Sequence, residues 1–181
     1  SVKEDFKVSP SSSYAIAKRY NEIYLKSIFQ EYNIENFALR YFNIYGPRQD
    51  TRMVIPRFFN QAMQNEDIIV YGDGTQTRDF TFIDDTIQAT IEIANKCKGS
   101  EIINITKGED ITMLDLAEKI LKITKSKNKI KLVENPSFRK DYEVAKRFGS
   151  SQKLLSLIGK KPETTLDDGL EMTYKFILKS L

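Results

Sequence analysis

Histidine and tryptophan are absent from this chain of 181 residues, and cysteine occurs once, at Cys97. Without histidine the chain cannot carry Ser-His-Asp or Cys-His catalysis, and it has no histidine-based metal site. A single cysteine excludes an internal disulfide and any zinc site built from several cysteines. We expect Cys97 to be a half-buried thiol at a helix end. Acid–base chemistry in this chain must use tyrosine, lysine or carboxylate groups.

Long apolar runs and a strong excess of one charge are also absent. No 18-residue apolar run occurs, and the first residues lack a signal-peptide pattern, so we expect a soluble cytoplasmic protein that does not cross a membrane. The net charge is +3, with 28 basic and 25 acidic residues. The lysine-rich segment 119–131 is the candidate polyanion surface, but no aromatic residues are interleaved with it, so no nucleic-acid partner is predicted.

Glycine-rich turns that bind nucleotide phosphates are missing as well. A dinucleotide-binding turn joins a strand to a helix, so that the backbone can approach the pyrophosphate at the helix N-terminus. Gly72 and Gly74 form the only close glycine pair, Thr77 stands where a third glycine would fall, and no helix opens there. The sequence has no Walker-type loop either.

The most informative pattern that is present is Tyr14 followed four residues later by Lys18. The segment predicts a long helix after Pro10, with Ser11 or Ser12 as its N-cap. Positions i and i+4 share one helix face, so the phenol and the ammonium would lie side by side. A neighbouring cation favours the phenolate, which makes a tyrosine usable as an acid or base.

The same spacing occurs a second time, at Tyr142 and Lys146. A chain this rich in tyrosine and lysine produces such pairs by chance. We interpret the second pair, in the charge-rich stretch RKDYEVAKR, as part of a solvated face. The spacing alone therefore does not establish a function. The sequence around each pair distinguishes a candidate catalytic pair from a chance one.

Helical and strand patterns alternate along the chain, which predicts an α/β fold. We predict helices at about 12–32, 55–64, 152–157 and 165–179, one opened by Asp84 and Asp85 with Ile87, Ile91, Ile93 and Ala94 facing inward, and one capped by Thr112 and running through Leu121. We predict strands at 37–41, 67–71, 78–83, 102–105 and 130–133.

Four further segments follow the Tyr14 and Lys18 pair in order: LRYFNIYGPRQ, VIPRFFNQAMQNEDIIVYGDGTQTRDFTFIDD, INITKGEDITMLDLAE and IGKKPETTLDDGL. Together they resemble the C-terminal part of the extended short-chain dehydrogenases/reductases, and within these the NAD-dependent nucleotide-sugar epimerases and dehydratases. The resemblance covers essentially the whole chain. Members of this family are longer, so we expect a fragment that lacks the glycine-rich loop and the serine or threonine assisting the tyrosine.

The resemblance implies an architecture and a set of ligands. Residues 1–45 would be the last part of a Rossmann-type parallel-sheet domain, and residues 46–181 a smaller α/β nucleotide-sugar-binding domain. Segments around 80–107 would return to the Rossmann-type domain. The implied cofactor is NAD, the implied substrate is a nucleotide sugar of the UDP type, and the implied assembly is a homodimer in which the Tyr14 helix packs against its copy.

The resemblance also implies roles for single residues near the cofactor. Tyr14 resembles the catalytic tyrosine, which takes a proton from a sugar hydroxyl while hydride passes to the nicotinamide. Lys18 resembles its partner, which lowers the tyrosine pKa and binds the nicotinamide ribose. Phe42 matches a position beside the nicotinamide, although plain strand packing also explains it. Asn43 matches a position that contacts the phosphate of the sugar nucleotide.

Three more residues match positions on the nucleotide. Arg78 matches an arginine against the diphosphate, with a surface ion pair to Asp79 as the alternative. Arg139 resembles a second arginine on the nucleotide, although its spacing to the next acid is one residue short of the commoner pattern. Tyr71 would lie near the uracil or thymine, or else pack in the core at a strand end. The short loop 50–53 leaves the choice of sugar open.

The predicted function is epimerisation of a nucleotide sugar through transient oxidation of a hydroxyl group. Dehydratases, decarboxylases and reductases of the same family share this half and remain alternatives. So does a non-catalytic module that binds substrate or forms a dimer.

Overall fold

Helices and strands alternate along the described residues, 1–135 and 146–180, of this computed structural model. The helices are α1 Ser13–Tyr32, α2 Val54–Met63, α3 Ile83–Lys96, α4 Met113–Thr124, α5 Gln152–Ile158 and α6 Leu166–Lys179. The strands are β1 Asn36–Tyr41, β2 Ile44–Tyr45, β3 Ile68–Tyr71, β4 Thr77–Arg78, β5 Thr81–Phe82, β6 Ser100–Ile105, β7 Ile111–Thr112, β8 Ile130–Val133 and β9 Lys146–Arg147. The α/β class and the predicted helices are confirmed.

The predicted strand at 78–83 is instead two short strands that belong to different sheets. β4 pairs antiparallel with β7 and parallel with β9, whereas β5 pairs parallel with β2. Asp79 and Phe80 carry the chain from one sheet to the other, and α3 begins directly after β5. An alternating sequence pattern cannot reveal such a change of partner, because both short strands have the same periodicity.

Side-chain caps set the starts of three helices, and two of these caps were predicted from the sequence. Ser12, rather than Ser11, caps α1, since its hydroxyl oxygen accepts a hydrogen bond from the Ala15 N–H at 3.2 Å. Thr112 caps α4 in the same way through the Asp115 N–H. Thr165 is the corresponding cap of α6. Each cap satisfies a backbone donor that has no partner within its helix.

The strands β1 and β6 form a parallel pair with helices on both faces. Their register runs from Asn36 opposite Ser100 to Tyr41 opposite Ile105. On one face the Arg40 guanidinium of β1 binds the Glu22 carboxylate of α1. On the other face, apolar side chains of α3, α5 and the two strands form a small core: Phe37, Leu39, Ala89, Ile93, Cys97, Ile103, Ile105, Leu154 and Ile158.

Cys97 lies at the C-terminal end of α3, as predicted, but it is buried rather than half-buried. Burial raises the pKa of the Cys97 thiol.

The prediction for the inward face of α3 is wrong at three positions out of four. Ile93 is buried, but Ile87 and Ile91 are 46% and 48% exposed, and Ala94 is exposed too. The buried side chains on this helix are Thr86, Ala89 and Ile93. Burial of the Thr86 hydroxyl leaves no unsatisfied donor, because this hydroxyl donates a hydrogen bond to the Phe82 carbonyl oxygen.

A larger core lies under α2, α4 and α6. Its buried side chains include Phe58 and Phe59 of α2, Leu116 and Ile120 of α4, and Leu170 of α6. Strand β3 pairs with β8 beside it and contributes Ile68 and Val70. Each fully buried aliphatic or aromatic side chain stabilises the fold by about 1.5–3 kcal/mol.

Helix α1 differs from the others because none of its 20 residues is buried. Its large exposed apolar and aromatic side chains are Tyr14, Ile16, Tyr20, Ile23, Tyr24 and Tyr32. The rings of Tyr20 and Tyr24 stack with centroids 6.1 Å apart. Among the helices of the described part of the chain, none has the length and apolar character needed to cross a membrane.

Candidate functional site

Three residues predicted to bind substrate line one cavity of about 220 Å³: Asn43, Tyr71 and Arg78. They come from separate segments, since Asn43 lies between β1 and β2, Tyr71 ends β3, and Arg78 ends β4. Pockets that enclose a whole small ligand usually have about 300–1,000 Å³. This cavity therefore has room for part of a larger ligand.

Two arginines that the sequence analysis missed also line this cavity, Arg52 and Arg57. With Arg78 they place three guanidinium groups around it, and none of the described lining residues is a carboxylate. The available signal was the segment RMVIPR, which sets basic residues at the start of a helix, where acidic residues are usual. A guanidinium offers forked donors that match phosphate or carboxylate oxygens.

The start of α2 adds to the positive potential of the cavity. Met53, the N-cap residue, makes no side-chain capping hydrogen bond, and the first turn contains no acidic residue. Met53 and Val54 both line the cavity. Because the first N–H groups of a helix lack partners within it, and the helix dipole is positive there, an anion is favoured at this end.

Arg57 stacks on two aromatic rings at the wall of the cavity. Its guanidinium carbon lies 5.2 Å from the ring centroid of Tyr71 and 5.5 Å from that of Phe58. Cation–π contacts of this length orient the guanidinium plane. Tyr71 is half-buried beside the cavity, so core packing at a strand end is not a full account of it.

Arg52 lies at the exposed edge of the cavity, in the short loop after Gly46 and Pro47. It forms an ion pair with Asp50, with Nη2 and Oδ2 2.7 Å apart. The hydrogen bond from the Arg52 side chain lowers the pKa of Asp50 to about 2. Both side chains are exposed, so the pair adds little stability.

The side chains of Asn43 and Arg78 are oriented by backbone carbonyl groups. The Asn43 Nδ2 donates to the Asp79 carbonyl oxygen at 2.9 Å, and this nitrogen carries a second hydrogen. The Arg78 Nη1 donates to the Thr77 carbonyl oxygen at 2.7 Å. The Asp79 carboxylate accepts its hydrogen bonds in the interior, which leaves the surface ion-pair interpretation of Arg78 without support.

Tyr14 and Lys18 lie side by side near the start of α1, as the spacing predicts. The Lys18 Nζ is 5.4 Å from the centroid of the Tyr14 ring. Tyr14 is 71% exposed, so its hydroxyl is open to a ligand. Neither residue is among those that line the cavity of Asn43, Tyr71 and Arg78.

Phe42 directly precedes Asn43, and its ring packs on the backbone of Gly149. A Cβ atom at Gly149 would lie 2.8 Å from the Phe42 ring, closer than any side chain permits. This contact supports the packing interpretation of Phe42 and leaves the cofactor role a prediction. Arg139, the remaining predicted substrate residue, and Tyr142 lie outside the described residues.

The fold and the cavity define an α/β protein in which three arginine side chains line a cavity between short strands and the start of a helix. Guanidinium groups in such a place can bind phosphate or carboxylate oxygens. Comparison with known proteins identifies the group more closely. The profile of the NAD dependent epimerase/dehydratase family matches residues 1–106. The chain belongs to this family.

Three known proteins illustrate the similarity. A UDP-N-acetyl-alpha-D-glucosaminuronate decarboxylase of Bacillus cytotoxicus is 35% identical over 91% of this chain and 52% of its own length. A UDP-glucose 4-epimerase of Thermotoga maritima, solved with UDP-glucose, is 28% identical with a TM-score of 0.92, over 99% of this chain and 57% of its own. A UDP-glucuronic acid 4-epimerase of Bacillus cereus, solved with UDP-glucuronic acid and NAD, is 32% identical with a TM-score of 0.88, over 99% and 57%.

The chain thus spans about half the length of the relatives it matches. The family match and the structural similarity confirm the predicted membership and the Rossmann-like α/β class.

Proposed function

We propose that this chain supplies the catalytic Tyr14–Lys18 pair and the diphosphate site of an NAD-dependent enzyme that epimerises a UDP-sugar. The observation that carries the proposal is the cationic cavity in which Asn43, Arg57 and Arg78 meet the start of α2. The proposal is also supported by similar proteins, whose structures were solved with UDP-glucose or with UDP-glucuronic acid and NAD.

In the binding step, the cavity neutralises the diphosphate of the nucleotide sugar. Arg78 and Arg57 bind phosphate oxygens through their forked N–H groups, and the second N–H of the Asn43 amide donates to a third oxygen. Tyr71 lies at the edge of the same cavity and packs against the base. The arginine-lined cavity thus binds the diphosphate, which is the most negatively charged part of the ligand.

In the chemical step, Tyr14 accepts the proton of a sugar hydroxyl and later returns it, while the Lys18 ammonium stabilises the phenolate. Beside these two residues, bound NAD would supply reversible hydride acceptance, and return of the hydride to the other face of the sugar would give the epimer without consuming the cofactor.

The described residues fit the nicotinamide end of NAD, because Tyr14 and Lys18 share an open helix face. Phe42 would lie beside the nicotinamide. The 181 residues contain no glycine-rich turn for the pyrophosphate of NAD.

Decarboxylation of a UDP-uronic acid is the second candidate reaction. The observation in its favour is that a relative 35% identical to this chain is a UDP-N-acetyl-glucosaminuronate decarboxylase. Both reactions begin with removal of the proton of a sugar hydroxyl by the same acid–base pair, with NAD as the oxidant that would take the hydride, so the roles of Tyr14 and Lys18 are common to them.

A homodimer through α1 is part of the proposal. The exposed Ile16, Tyr20, Ile23 and Tyr24 lie on this helix, and a second copy of α1 would cover their apolar surface.

Calorimetric titration of the chain with UDP, UDP-glucose, UDP-glucuronic acid and NAD tests the binding half of the proposal. We expect the UDP compounds to bind, and NAD alone to bind weakly or not at all. Replacing Arg78 by Ala should weaken UDP binding by about 10- to 100-fold, since a hydrogen bond to a charged group contributes about 1.5–3 kcal/mol.

The matched control is Arg19→Ala, because Arg19 lies on α1 in an ion pair with Glu22 and does not line the cavity. Its UDP affinity should equal that of the wild type. A wild-type chain that does not bind UDP would contradict the proposed function. Tight binding of NAD by these residues alone would contradict the proposal that they hold only the nicotinamide end of the cofactor.

A further inference from the structure

Asp79 is a fully buried carboxylate that directly follows Arg78 in the sequence. An ionised carboxylate is stable in a protein interior only where several hydrogen-bond donors converge on it. Four donors do so here, three of them backbone N–H groups. They are the Thr106 hydroxyl, the Lys107 N–H at 3.2 Å, the Gly108 N–H at 3.0 Å and the Gly149 N–H at 3.4 Å.

Two glycines make this convergence of backbone groups sterically possible. Gly108 has a φ of +82°, a left-handed conformation that turns its N–H and that of Lys107 toward the same carboxylate. Gly149 lies so close to Phe42 and Thr106 that a Cβ atom there would be 2.8 and 2.9 Å from them. The chain therefore has glycine at two of the three positions whose N–H groups bind Asp79.

The main chain of Asp79 connects this buried cluster to the cavity. Its carbonyl oxygen accepts the hydrogen bond of the Asn43 amide at 2.9 Å. Along the extended segment 78–79, successive side chains point to opposite sides, so that Arg78 lines the cavity while Asp79 points into the interior. The main chain of Asp79 is thus linked to both residues proposed to bind the diphosphate: Arg78 is its neighbour in the chain, and the Asn43 side chain is hydrogen-bonded to its carbonyl oxygen.

We propose that Asp79 is a positioning residue for the diphosphate site: by anchoring its carboxylate in the interior, it sets the orientation of Asn43 and Arg78 in the cavity. The inference rests on the proposed function, and it adds a residue that does not itself touch the ligand. Asp79 acts through the backbone, since its own side chain is turned away from the cavity.

The chemistry of the cluster requires an acceptor that carries no hydrogen. Burial raises the pKa of Asp79, and the hydrogen bonds from Thr106 and the three N–H groups oppose that rise. The Lys107 N–H binds Oδ1, whereas the Thr106 hydroxyl and the N–H groups of Gly108 and Gly149 bind Oδ2. Asparagine has nearly the same shape but no negative charge, and whichever oxygen position its NH₂ group takes, it faces at least one N–H donor. The substitution Asp79→Asn therefore disturbs the anchor with little change in volume.

Titration of UDP into the folded wild-type and variant chains, followed by calorimetry, tests the inference. We expect Asp79→Asn to weaken UDP binding by about 10-fold or more, since buried hydrogen bonds to charged groups are lost. Thr106→Val removes one donor and should weaken binding by a smaller factor, while Thr106→Ser keeps the hydroxyl and should restore it. This second pair of variants gives the test if Asp79→Asn does not fold.

Thr173→Val is the matched control for a general loss of stability. Thr173 is a buried polar residue of α6 whose hydroxyl donates to the Gly169 carbonyl oxygen, and it does not line the cavity. The free energy of unfolding should fall, while the UDP affinity of the folded protein should not change. Equal losses of UDP affinity in Thr173→Val and Asp79→Asn would overturn the inference.

A double-mutant cycle separates positioning from a merely structural role. If Asp79 acts through Asn43, then Asp79→Asn should weaken UDP binding by a smaller factor in an Asn43→Ala background than in the wild type. Full additivity, or an unchanged UDP affinity in folded Asp79→Asn, overturns the inference while the proposed function stands. A wild-type chain that does not bind UDP overturns both.

Discussion

Two regions of the molecule bury their helices to very different extents. In the cavity lobe, which comprises α2, α4 and α6 with β3 and β8, helix α2 buries five of its ten residues. In the α1 layer, which comprises α1 and the face of β1 beneath it, α1 buries none of its 20 residues. The lobe has its own hydrophobic core, whereas the contacts of α1 with β1 combine half-buried side chains such as Leu25 and Phe29 with the ion pair between Glu22 and Arg40.

The difference separates the two halves of the proposed activity. The residues proposed to bind the diphosphate lie on the lobe and its edge, where the local fold is determined by a dense core. The proposed acid–base pair lies on the exposed helix, whose apolar surface has no cover among the described residues. Binding of the UDP-sugar should therefore depend on the hydrophobic core of the lobe. Catalysis should depend on the second copy or other segment that packs on α1. The division into domains at residue 46 stays a prediction.

The largest expected effect is on chemistry, and it concerns the α1 layer alone. In an NAD-containing protein that carries this segment, Tyr14→Phe should lower the rate of UDP-sugar conversion by about 10²- to 10⁴-fold, the usual contribution of a positioned acid or base. UDP affinity and stability should not change, because Tyr14 is mostly exposed. Steady-state kinetics and UDP titration measure the two quantities. Tyr20→Phe, on the same helix, is the control, and retained activity in Tyr14→Phe would remove the catalytic assignment.

The next effect is on stability, and a matched pair of isoleucines compares the regions directly. Ile55 of α2 is 1% exposed, and Ile16 of α1 is 55% exposed. Ile55→Ala should cost about 2–5 kcal/mol of unfolding free energy through lost burial and the cavity left behind. Ile16→Ala should change it by less than about 0.5 kcal/mol. Urea unfolding followed by circular dichroism measures both. Comparable costs would mean that the α1 face is covered in solution, for which a second copy is the first candidate.

The smallest effect concerns the ion pair that holds α1 on β1. The Arg40 Nε lies 2.6 Å from Glu22 Oε1, and the hydrogen bond from Arg40 lowers the pKa of Glu22 from its ordinary value. A lowered folded-state pKa stabilises the fold above the unfolded value, and this contribution is lost as the pH falls through the folded value. Glu22→Gln should therefore cost about 1–2 kcal/mol near pH 7 and nothing below both pKa values.

Urea midpoints at neutral pH and at the lowest pH at which the protein stays folded measure this loss, provided that the slope with urea stays constant. The control is Glu171→Gln, which removes an exposed pair with Lys175 in the cavity lobe and should have little effect at either pH. If Glu22→Gln were as stable as the wild type at neutral pH, the pair would not hold α1 to the sheet.

Much of the fold was predictable because it depends on neighbours in the sequence. Ser12, Thr112 and Thr165 cap helices that begin within a residue of the predicted positions. The α/β class followed from the alternation of elements. The inward face of α3 was not predictable from hydrophobicity, because Thr86 is buried with its hydroxyl satisfied and Ile87 is left outside. Which face of a helix is buried depends on what packs against it.

The candidate site was predictable only in part, for the same reason. Asn43, Tyr71 and Arg78 were predicted from motifs and do share a cavity, although their roles there stay proposals. Arg57 was missed because its place over the Tyr71 ring depends on how α2 lies against β3. Asp79 was considered only as a surface partner of Arg78, whereas it is buried by the change of sheet between β4 and β5.

The sequence by itself determined where the helices begin and that Tyr14 and Lys18 stand together, because hydrogen bonds and side-chain contacts within one helix turn set both. Only the tertiary structure decided that Asn43, Arg57 and Arg78 surround one cavity, and that a buried carboxylate lies behind it. Residues far apart in the chain meet through packing and strand pairing, and no local pattern encodes those contacts.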